Sequence, residues 1–213
     1  MGILVSVHIG PIAPLGPGCV RSAFVKHAAA GRIAVEPLGL VGDHQADPRV
    51  HGGAEKAVYG YGADSYAAWR VGFPEHAALL VPGGVGENFS IAGLDEAAVC
   101  IGDIQRIGSA VLQACQPRQP CFKFALRFDD KRMPRAMVRI DRCSWYYRVL
   151  EVGEVGAGDA VTLVERPNPD WPMARFFRLL AKPAAITADE QHALAAMSGL
   201  AAQWVEAARA ALG

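Results

Sequence analysis

The stretch "GDIQRIGSAVLQACQPRQPC", residues 102–121, carries the clearest fold signal in the chain. Its two halves "GDIQRIG" and "SAVLQAC" each have the pattern of a short strand, and Gly108-Ser109 between them fits a tight hairpin turn. Pro117 and Pro120 follow directly, and proline cannot continue a central strand because it lacks a backbone N–H. We therefore predict an antiparallel hairpin whose second strand ends in a stiff loop before Cys121.

Further short strand patterns extend from the first residues to about residue 166. They are "ILVSVHI", "SAFVK", "GRIAVEPLGLVGD", "GENFSIAGL" and "SWYYRVLEVGEVGAGDAVTLVE", the last of which we interpret as two paired strands turning at residues 156–159. Many short strands separated by glycine and proline turns are typical of a β-sandwich or a β-barrel. The fold class predicted from the pattern is therefore mainly β.

Helices are expected in two places among these strands. Asp64 can cap a helix in residues 65–73, whose Tyr66, Trp69 and Val71 would partly face a core. Pro134 can open a second helix at its first turn.

The chain changes character after residue 166. Three prolines between residues 167 and 172 indicate a linker, and "MARFFRLLA", "TADEQHALAAM" and "LAAQWVEAARAAL" then indicate three short helices. Thr187 and Glu190 form a capping box ahead of the second of these helices. Helices this short need neighbours to pack on. We predict a strand-rich domain in residues 1–166 and a three-helix extension in residues 167–213.

Composition excludes several classes of function. The 213 residues are 52% hydrophobic and carry a formal net charge of +0, which favours a large core and gives no overall electrostatic attraction to nucleic acid. No apolar run reaches roughly 18 residues, and the first residues lack the basic segment of a secretory signal. The five cysteines form no CxxC motif and no disulfide pattern. We expect a cytoplasmic protein without membrane segments or stable nucleic-acid binding.

Cys121 is the strongest candidate for chemistry. Arg118 and Lys123 flank it, and nearby cations lower the pKa of a thiol, which favours the thiolate that binds soft or high-valent transition metals. The alternative is a structural loop cysteine beside two solvated cations. Cys115 is expected to be a half-buried strand cysteine, although a Cys115–Cys121 redox pair remains a further alternative.

The loop "HGGAEK" is a candidate anion site. Gly52 and Gly53 allow the backbone N–H groups to approach an oxyanion closely, while Lys56 adds positive charge after His51. The alternative is a plain glycine loop with a solvated lysine.

Other polar residues give weaker signals. Asn88 stands with Glu87 at the start of a strand, where its amide can hydrogen-bond a polar heterocycle or simply form a surface turn. A zinc site is a separate alternative, although the spacing of its ligands matches no standard zinc motif. The ligands would be His44, Asp47 and His51.

Several segments, in this order, resemble the MOSC domain family and its YiiM-like subgroup. They are "GLVGDHQAD", "HGGAEKAV", "GENFSIAGL", "IGDIQRIGSAVLQACQPRQPC" and "SWYYRVLEVGEV", and the helical tail is similar to the extension of that subgroup. The resemblance implies a closed β-barrel that binds the molybdenum cofactor, a pterin dithiolene with a terminal phosphate. It also implies reduction of N-hydroxylated compounds, such as the base analogue 6-hydroxylaminopurine. A separate reductase would donate the electrons, and the protein would be a homodimer.

The resemblance implies roles for individual residues. Cys121 matches the thiolate ligand of molybdenum. The resemblance identifies no general acid, and Asp43 and Tyr61 are our own candidates for a catalytic role. The candidate cofactor-binding residues are His51, Gly52, Gly53, Lys56, Asn88, Arg118, Gln119 and Lys123. Gly60 and Ser65 stand where relatives commonly have histidine, so the source of protons is left open.

Two other functions remain compatible with the sequence. The first is a non-catalytic module that carries the cofactor or takes part in its sulfuration with a partner protein. The second is a metal-free thiol-redox protein that uses Cys115 and Cys121.

Overall fold

The computed structural model describes residues 1–183 and 186–213. Its strands are β1 (Gly2–Ile9), β2 (Ala13–Leu15), β3 (Val20–Ser22), β4 (His27–Ala28), β5 (Ile33–Glu36), β6 (Gly39–Leu40), β7 (Val58–Gly62), β8 (Phe89–Ala92), β9 (Ile104–Ile107), β10 (Ala110–Pro117), β11 (Trp145–Glu151), β12 (Gly153–Val155) and β13 (Ala160–Glu165). Seven of them close a barrel in the order β13-β9-β10-β11-β7-β8-β1, with β1 pairing back to β13. Only β7 and β8 are parallel, so the barrel is mixed. The predicted fold class, mainly β with helices, is confirmed.

The hairpin read from residues 102–121 is confirmed. Strands β9 and β10 pair antiparallel with Ile107 opposite Ala110, and the turn lies at Gly108-Ser109. Every residue of β10 is buried, Cys115 included. The expected half-burial of Cys115 is wrong because the C-terminal segment covers the outer face of this strand, with Ala201 N–H donating to the Cys115 carbonyl at 3.0 Å.

The pairing predicted within residues 144–165 is wrong. Strand β11 pairs with β10 and β7, whereas β13 pairs with β9 and β1. The turn at residues 156–159 does precede β13, but it follows the short strand β12, which pairs with β5. Closure of the barrel determines these pairs, and closure is not visible in local sequence. Of "SAFVK", only Ser22 lies in a strand.

Strand β7 is an unpredicted element. Its sequence VYGYG looks like a glycine loop, yet all five residues are buried. A Cβ at Gly60 would lie 2.8 Å from the Tyr147 ring and 3.0 Å from Trp145 Nε1, so only glycine allows the two aromatic side chains of β11 to pack against this strand.

The helices are α1 (Pro48–His51), α2 (Ser65–Gly72), α3 (Phe122–Phe128), α4 (Met133–Arg139), α5 (Met173–Ala181), α6 (Ala188–Ala195) and α7 (Ala202–Leu212). Tyr66 and Trp69 of α2 are buried as expected, but Val71 is 86% exposed. Asp64 does not cap α2 with its side chain and instead accepts a hydrogen bond from Gly93 N–H at 2.8 Å. The predicted capping box of Thr187 and Glu190 is present at α6.

The three C-terminal helices pack on the barrel and share its hydrophobic core. Met173 and Phe176 of α5 and Leu194 of α6 belong to the same buried cluster as Leu112 and Trp145 of the barrel. The division into a strand-rich domain of residues 1–166 and a three-helix extension of residues 167–213 therefore stays a prediction. Among the described residues, no helix is both long enough and apolar enough to span a membrane.

Candidate active site

Cys121 lies at one mouth of the barrel, where the chain leaves β10 and enters α3. Pro117 ends β10, and four residues later Cys121 occupies the N-cap position of α3 in an extended conformation. Helix α3 was not predicted from the sequence, because "PCFK" looks like the continuation of the proline loop. The structure places Cys121 at the junction of two clefts that also share His51, Lys56 and Tyr146.

The first cleft has a volume of about 550 Å³, including its open mouth, and we call it the cationic cleft. Its charged walls comprise one carboxylate, Asp43, against the cations Lys26, Lys56, Arg118 and Lys123. His44 and His51 line it as well. A concave surface with this excess of positive charge favours an anionic ligand, even though the whole chain has a net charge of +0.

The Cys121 thiol has a depressed pKa in this environment. Burial alone would raise the pKa, but the neighbouring His51 side chain and the charge of Arg118 outweigh it and lower the pKa from 9.0 to about 6. At neutral pH the group is therefore mainly thiolate. The sequence predicted the charges of Arg118 and Lys123 as causes of this shift. Arg118 does act through its charge, whereas Lys123 acts through its backbone N–H, and the contribution of His51 comes only from the fold.

Arg118 is a fixed positive charge in the wall of the cationic cleft. Its side chain is 6% exposed, and its guanidinium carbon lies 4.5 Å from the ring centre of Tyr59 and 5.2 Å from that of Phe24. Its Nη1 donates to the Val85 carbonyl at 2.5 Å. Stacking between two aromatic rings holds the guanidinium in one place, so little entropy is lost when a ligand binds to it.

Asp43 and Asn88 line the cationic cleft as scaffold groups. Asp43 accepts hydrogen bonds from Gly10 N–H at 2.9 Å, from Asn88 Nδ2 at 2.8 Å and from the ammonium of Lys26. Asn88 Oδ1 accepts from Tyr59 N–H at 3.0 Å. These bonds use most of the polar capacity of both side chains. Asp43 is thus better placed to hold the cleft together than to transfer a proton.

Tyr61, Gly52 and Gly53 lie outside both clefts. Tyr61 is fully buried, and its hydroxyl accepts a hydrogen bond from Trp69 Nε1 at 2.6 Å. We therefore leave Tyr61 out of the site proposed below. The two glycines position their neighbours instead, since His51 and Lys56 on either side of them do line the clefts.

The proposed zinc ligands His44, Asp47 and His51 do not converge. Asp47 Oδ1 accepts from Arg49 Nε at 3.2 Å. Within residues 1–183 and 186–213, the one group of three metal-binding side chains with closely spaced ligand atoms is Glu75, His76 and Asp130. Both carboxylates of that group already pair with the guanidinium of Arg132.

The model of the MOSC domain family matches residues 47–162, more than half of the chain. This chain belongs to the MOSC domain family. The matched residues include β7, β8, β10 and β11 of the barrel as well as Cys121.

Relatives of this MOSC protein share most of its length. The Escherichia coli (strain K12) protein YiiM is 35% identical over 200 residues, which are 94% of this chain and 88% of that protein. The crystal structure of YiiM from Geobacillus stearothermophilus has a TM-score of 0.83 at 27% identity, and the match covers 100% of both chains. A Gibberella moniliformis protein named reductase is 37% identical over 182 residues, but this chain spans only 32% of its length.

The second cleft of the MOSC protein, about 570 Å³, is one that the sequence did not predict. Apart from the four shared residues, it is lined by Val50, Gln116, Pro117, Gln119, Pro120, Gln203 and Trp204. Because no side chain in that set is charged, we call it the neutral cleft. Gln119, predicted to bind the cofactor, lines this cleft and not the cationic one.

Cys115 lines neither cleft of the MOSC protein. Its thiol contacts the Glu55 carbonyl at 3.2 Å, and burial raises its pKa to about 12. A protonated, enclosed thiol is a poor redox partner, so this geometry speaks against a Cys115–Cys121 pair.

Alkylation of the metal-free protein tests the ionisation of Cys121. In a Cys19→Ser background, iodoacetamide should modify Cys121 with a midpoint near pH 6, because the thiolate persists down to its pKa of about 6. His51→Gln should move the midpoint upward by about one pH unit, since it removes a group that stabilises the thiolate. His27→Gln, on the exposed strand β4, is the matched control. An unshifted profile in His51→Gln would contradict the assignment.

Proposed function

We propose that this MOSC protein binds the molybdenum cofactor in the cationic cleft and reduces N-hydroxylated compounds. One observation carries the proposal: a thiol whose pKa is lowered to about 6 stands at the edge of a cleft lined by four cationic side chains and one carboxylate. A thiolate is a suitable ligand for molybdenum, and the cations suit a cofactor that ends in a phosphate.

The residues present fit such a group. The cleft is concave and combines a thiol with cationic side chains along one wall, which is the donor set that a phosphate-bearing metal cofactor needs. The buried ion pair of Lys26 with Asp43 neutralises one cation, which leaves Lys56, Arg118 and Lys123 to balance a bound anion. Lys56 donates to the Val50 carbonyl at 2.8 Å, so its ammonium is held at the junction of the clefts.

The cofactor, when bound, supplies the two-electron chemistry that converts a hydroxylamino group, two electrons and two protons into an amine and water. The chain contributes position and charge. Cys121 Sγ stays deprotonated as the protein ligand, and Arg118 and Lys123 lower the energy of negative charge in the cleft. His51 lines both clefts beside Cys121 and is one of the groups that lower the pKa of its thiol.

The relatives support an oxidoreductase. One of them is named reductase, although most of that protein lies beyond the matched region. A separate reductase as electron donor and a homodimeric state belong to this proposal as well.

Single-turnover oxidation tests the proposal. Protein purified from a host that makes the cofactor would be reduced with dithionite, freed of excess reductant and mixed with 6-hydroxylaminopurine. We expect oxidation of about one equivalent of protein and formation of one equivalent of adenine. Adenine itself is the control and should cause no oxidation. A protein that contains molybdenum but is not oxidised would be a carrier and not a reductase.

A further inference from the structure

The two clefts that meet at Cys121 differ in charge, and this difference suggests that they bind different ligands. Lys26, Asp43, Arg118 and Lys123 belong only to the cationic cleft. The residues that belong only to the neutral cleft carry no charge and include three glutamines and one tryptophan. Beyond the four residues shared with the cationic cleft, the neutral cleft therefore offers a ligand hydrogen-bonding groups and apolar surface.

We infer that the neutral cleft is the substrate subsite, and that Gln119, Gln203 and Trp204 select a flat, uncharged heterocycle of nucleobase size. This inference rests on the proposed function, because it places the substrate next to the thiolate that would hold the cofactor. It assigns a specificity role to helix α7, which lies outside the matched residues 47–162.

Gln116 fixes the arrangement of the neutral cleft. It is 2% exposed, and its Oε1 accepts hydrogen bonds from Gln203 Nε2 at 2.7 Å and from Trp204 Nε1 at 3.0 Å. Its own Nε2 donates to the Glu55 carbonyl at 2.9 Å. The Gln203 amide and the Trp204 indole are therefore held in defined orientations by a residue of β10, four positions after Leu112 in the barrel wall.

Gln119 and Gln203 have hydrogen-bonding capacity left for a ligand. Gln203 Oε1 and its second amide hydrogen have no partner in the described parts of the chain, and the side chain of Gln119 makes no hydrogen bond there either. A carboxamide offers a donor and an acceptor side by side, which matches the paired donor and acceptor atoms on the edge of a purine.

Trp204 supplies a rigid aromatic surface. Its ring packs edge-on against Phe176 with the centroids 5.8 Å apart, and its Nε1–H is already satisfied by Gln116. An indole fixed in this way loses little freedom when a flat heteroaromatic ring stacks on it.

Glu55 connects helix α7 to the loop that carries His51 and Lys56. Both of its carboxylate oxygens accept from Ala202 N–H at 3.0 Å, and Arg148 Nη2 donates to it at 2.8 Å. The carboxylate thus caps the start of α7, directly beside Lys56 and one residue before Gln203. The helix that carries Gln203 and Trp204 is consequently fixed relative to the loop that carries His51 and Lys56.

The test compares a ring substrate with a ringless one on the full-length holoprotein. For Gln119→Ala and Gln203→Ala, the ratio of kcat/KM for 6-hydroxylaminopurine to kcat/KM for N-methylhydroxylamine should fall about 10-fold, since each variant loses one amide contact to the ring. Gln191→Ala on α6, away from both clefts, is the matched control and should keep the wild-type ratio. Molybdenum content is measured for every variant.

Adenine binding separates this inference from the proposed function. Adenine titrated into the full chain should quench tryptophan fluorescence, and Gln203→Ala should weaken its affinity about 10-fold. If the protein binds adenine in this way but never turns over, the proposed reductase fails and the subsite stands. If turnover and molybdenum are normal while both glutamine variants keep the wild-type ratio and adenine affinity, the subsite is refuted and the reductase stands.

Discussion

Replacement of Cys121 by serine is expected to abolish molybdenum binding in protein purified from a host that makes the cofactor. A serine hydroxyl stays protonated at neutral pH, whereas the Cys121 pKa of about 6 gives a thiolate. Loss of a supporting residue around a metal ligand already lowers metal affinity about 10- to 100-fold, so loss of the ligand itself should exceed that range. Elemental analysis of the purified protein measures the effect.

Cys19→Ser is the matched control for this substitution. Cys19 is exposed and lines neither cleft, so its replacement should leave molybdenum content at the wild-type level. Full molybdenum occupancy in Cys121→Ser would contradict the assignment of Cys121 as the molybdenum ligand. Equal losses in both variants would indicate that cysteine content, and not this position, controls loading of the cofactor.

Asp43→Asn is expected to destabilise the fold strongly. The side chains of Lys26 and Asp43 are only 7% and 2% exposed, and removal of one partner from a buried ion pair typically costs about 3–5 kcal/mol. We expect a loss of roughly 3 kcal/mol, which lowers the Tm of a chain of this length by roughly 6–12 °C. Thermal unfolding monitored by circular dichroism measures the change.

The loss of stability caused by Asp43→Asn should depend on pH. Burial lowers the pKa of Lys26, and Asp43 opposes that effect in the wild type. Without the carboxylate the folded-state pKa falls further below the unfolded value, so the unfolded chain binds more protons and stability rises with pH. The Tm deficit of Asp43→Asn should be larger at pH 6 than at pH 9. Asp170→Asn, an exposed aspartate, should unfold like the wild type. An Asp43→Asn variant with normal Tm but no turnover would restore Asp43 as a catalytic group.

Local sequence was sufficient to predict the parts of the site that lie close together in the chain. The β9–β10 hairpin, the proline loop and the cations around Cys121 fall within residues 102–123, so strand pattern and residue type identify them directly. The pairing partners of β11 and β13 could not be predicted from local sequence, because a closed barrel joins strands that are distant in sequence.

The same reason explains why the sequence did not predict the cleft residues that come from distant parts of the chain. Lys26 looked like the end of a strand, yet the fold buries it against Asp43. Trp204 has the spacing of an ordinary core residue in a terminal helix, and only tertiary packing brings its indole within 3.0 Å of Gln116. Tyr61 shows the opposite error, since an aromatic hydroxyl near the glycine loop proved to be fully enclosed.

Closure of the barrel has a consequence for biosynthesis. Strand β1 pairs with β13 through Gly2 opposite Val161 and Ile3 opposite Ala160. One edge of β1 therefore stays unpaired until residues near 160 have been synthesised, about 8–30 s at roughly 5–20 residues per second. During that interval the nascent chain exposes an unpaired strand edge that can aggregate. Chaperone capture of the nascent chain is the expected accompaniment of this topology.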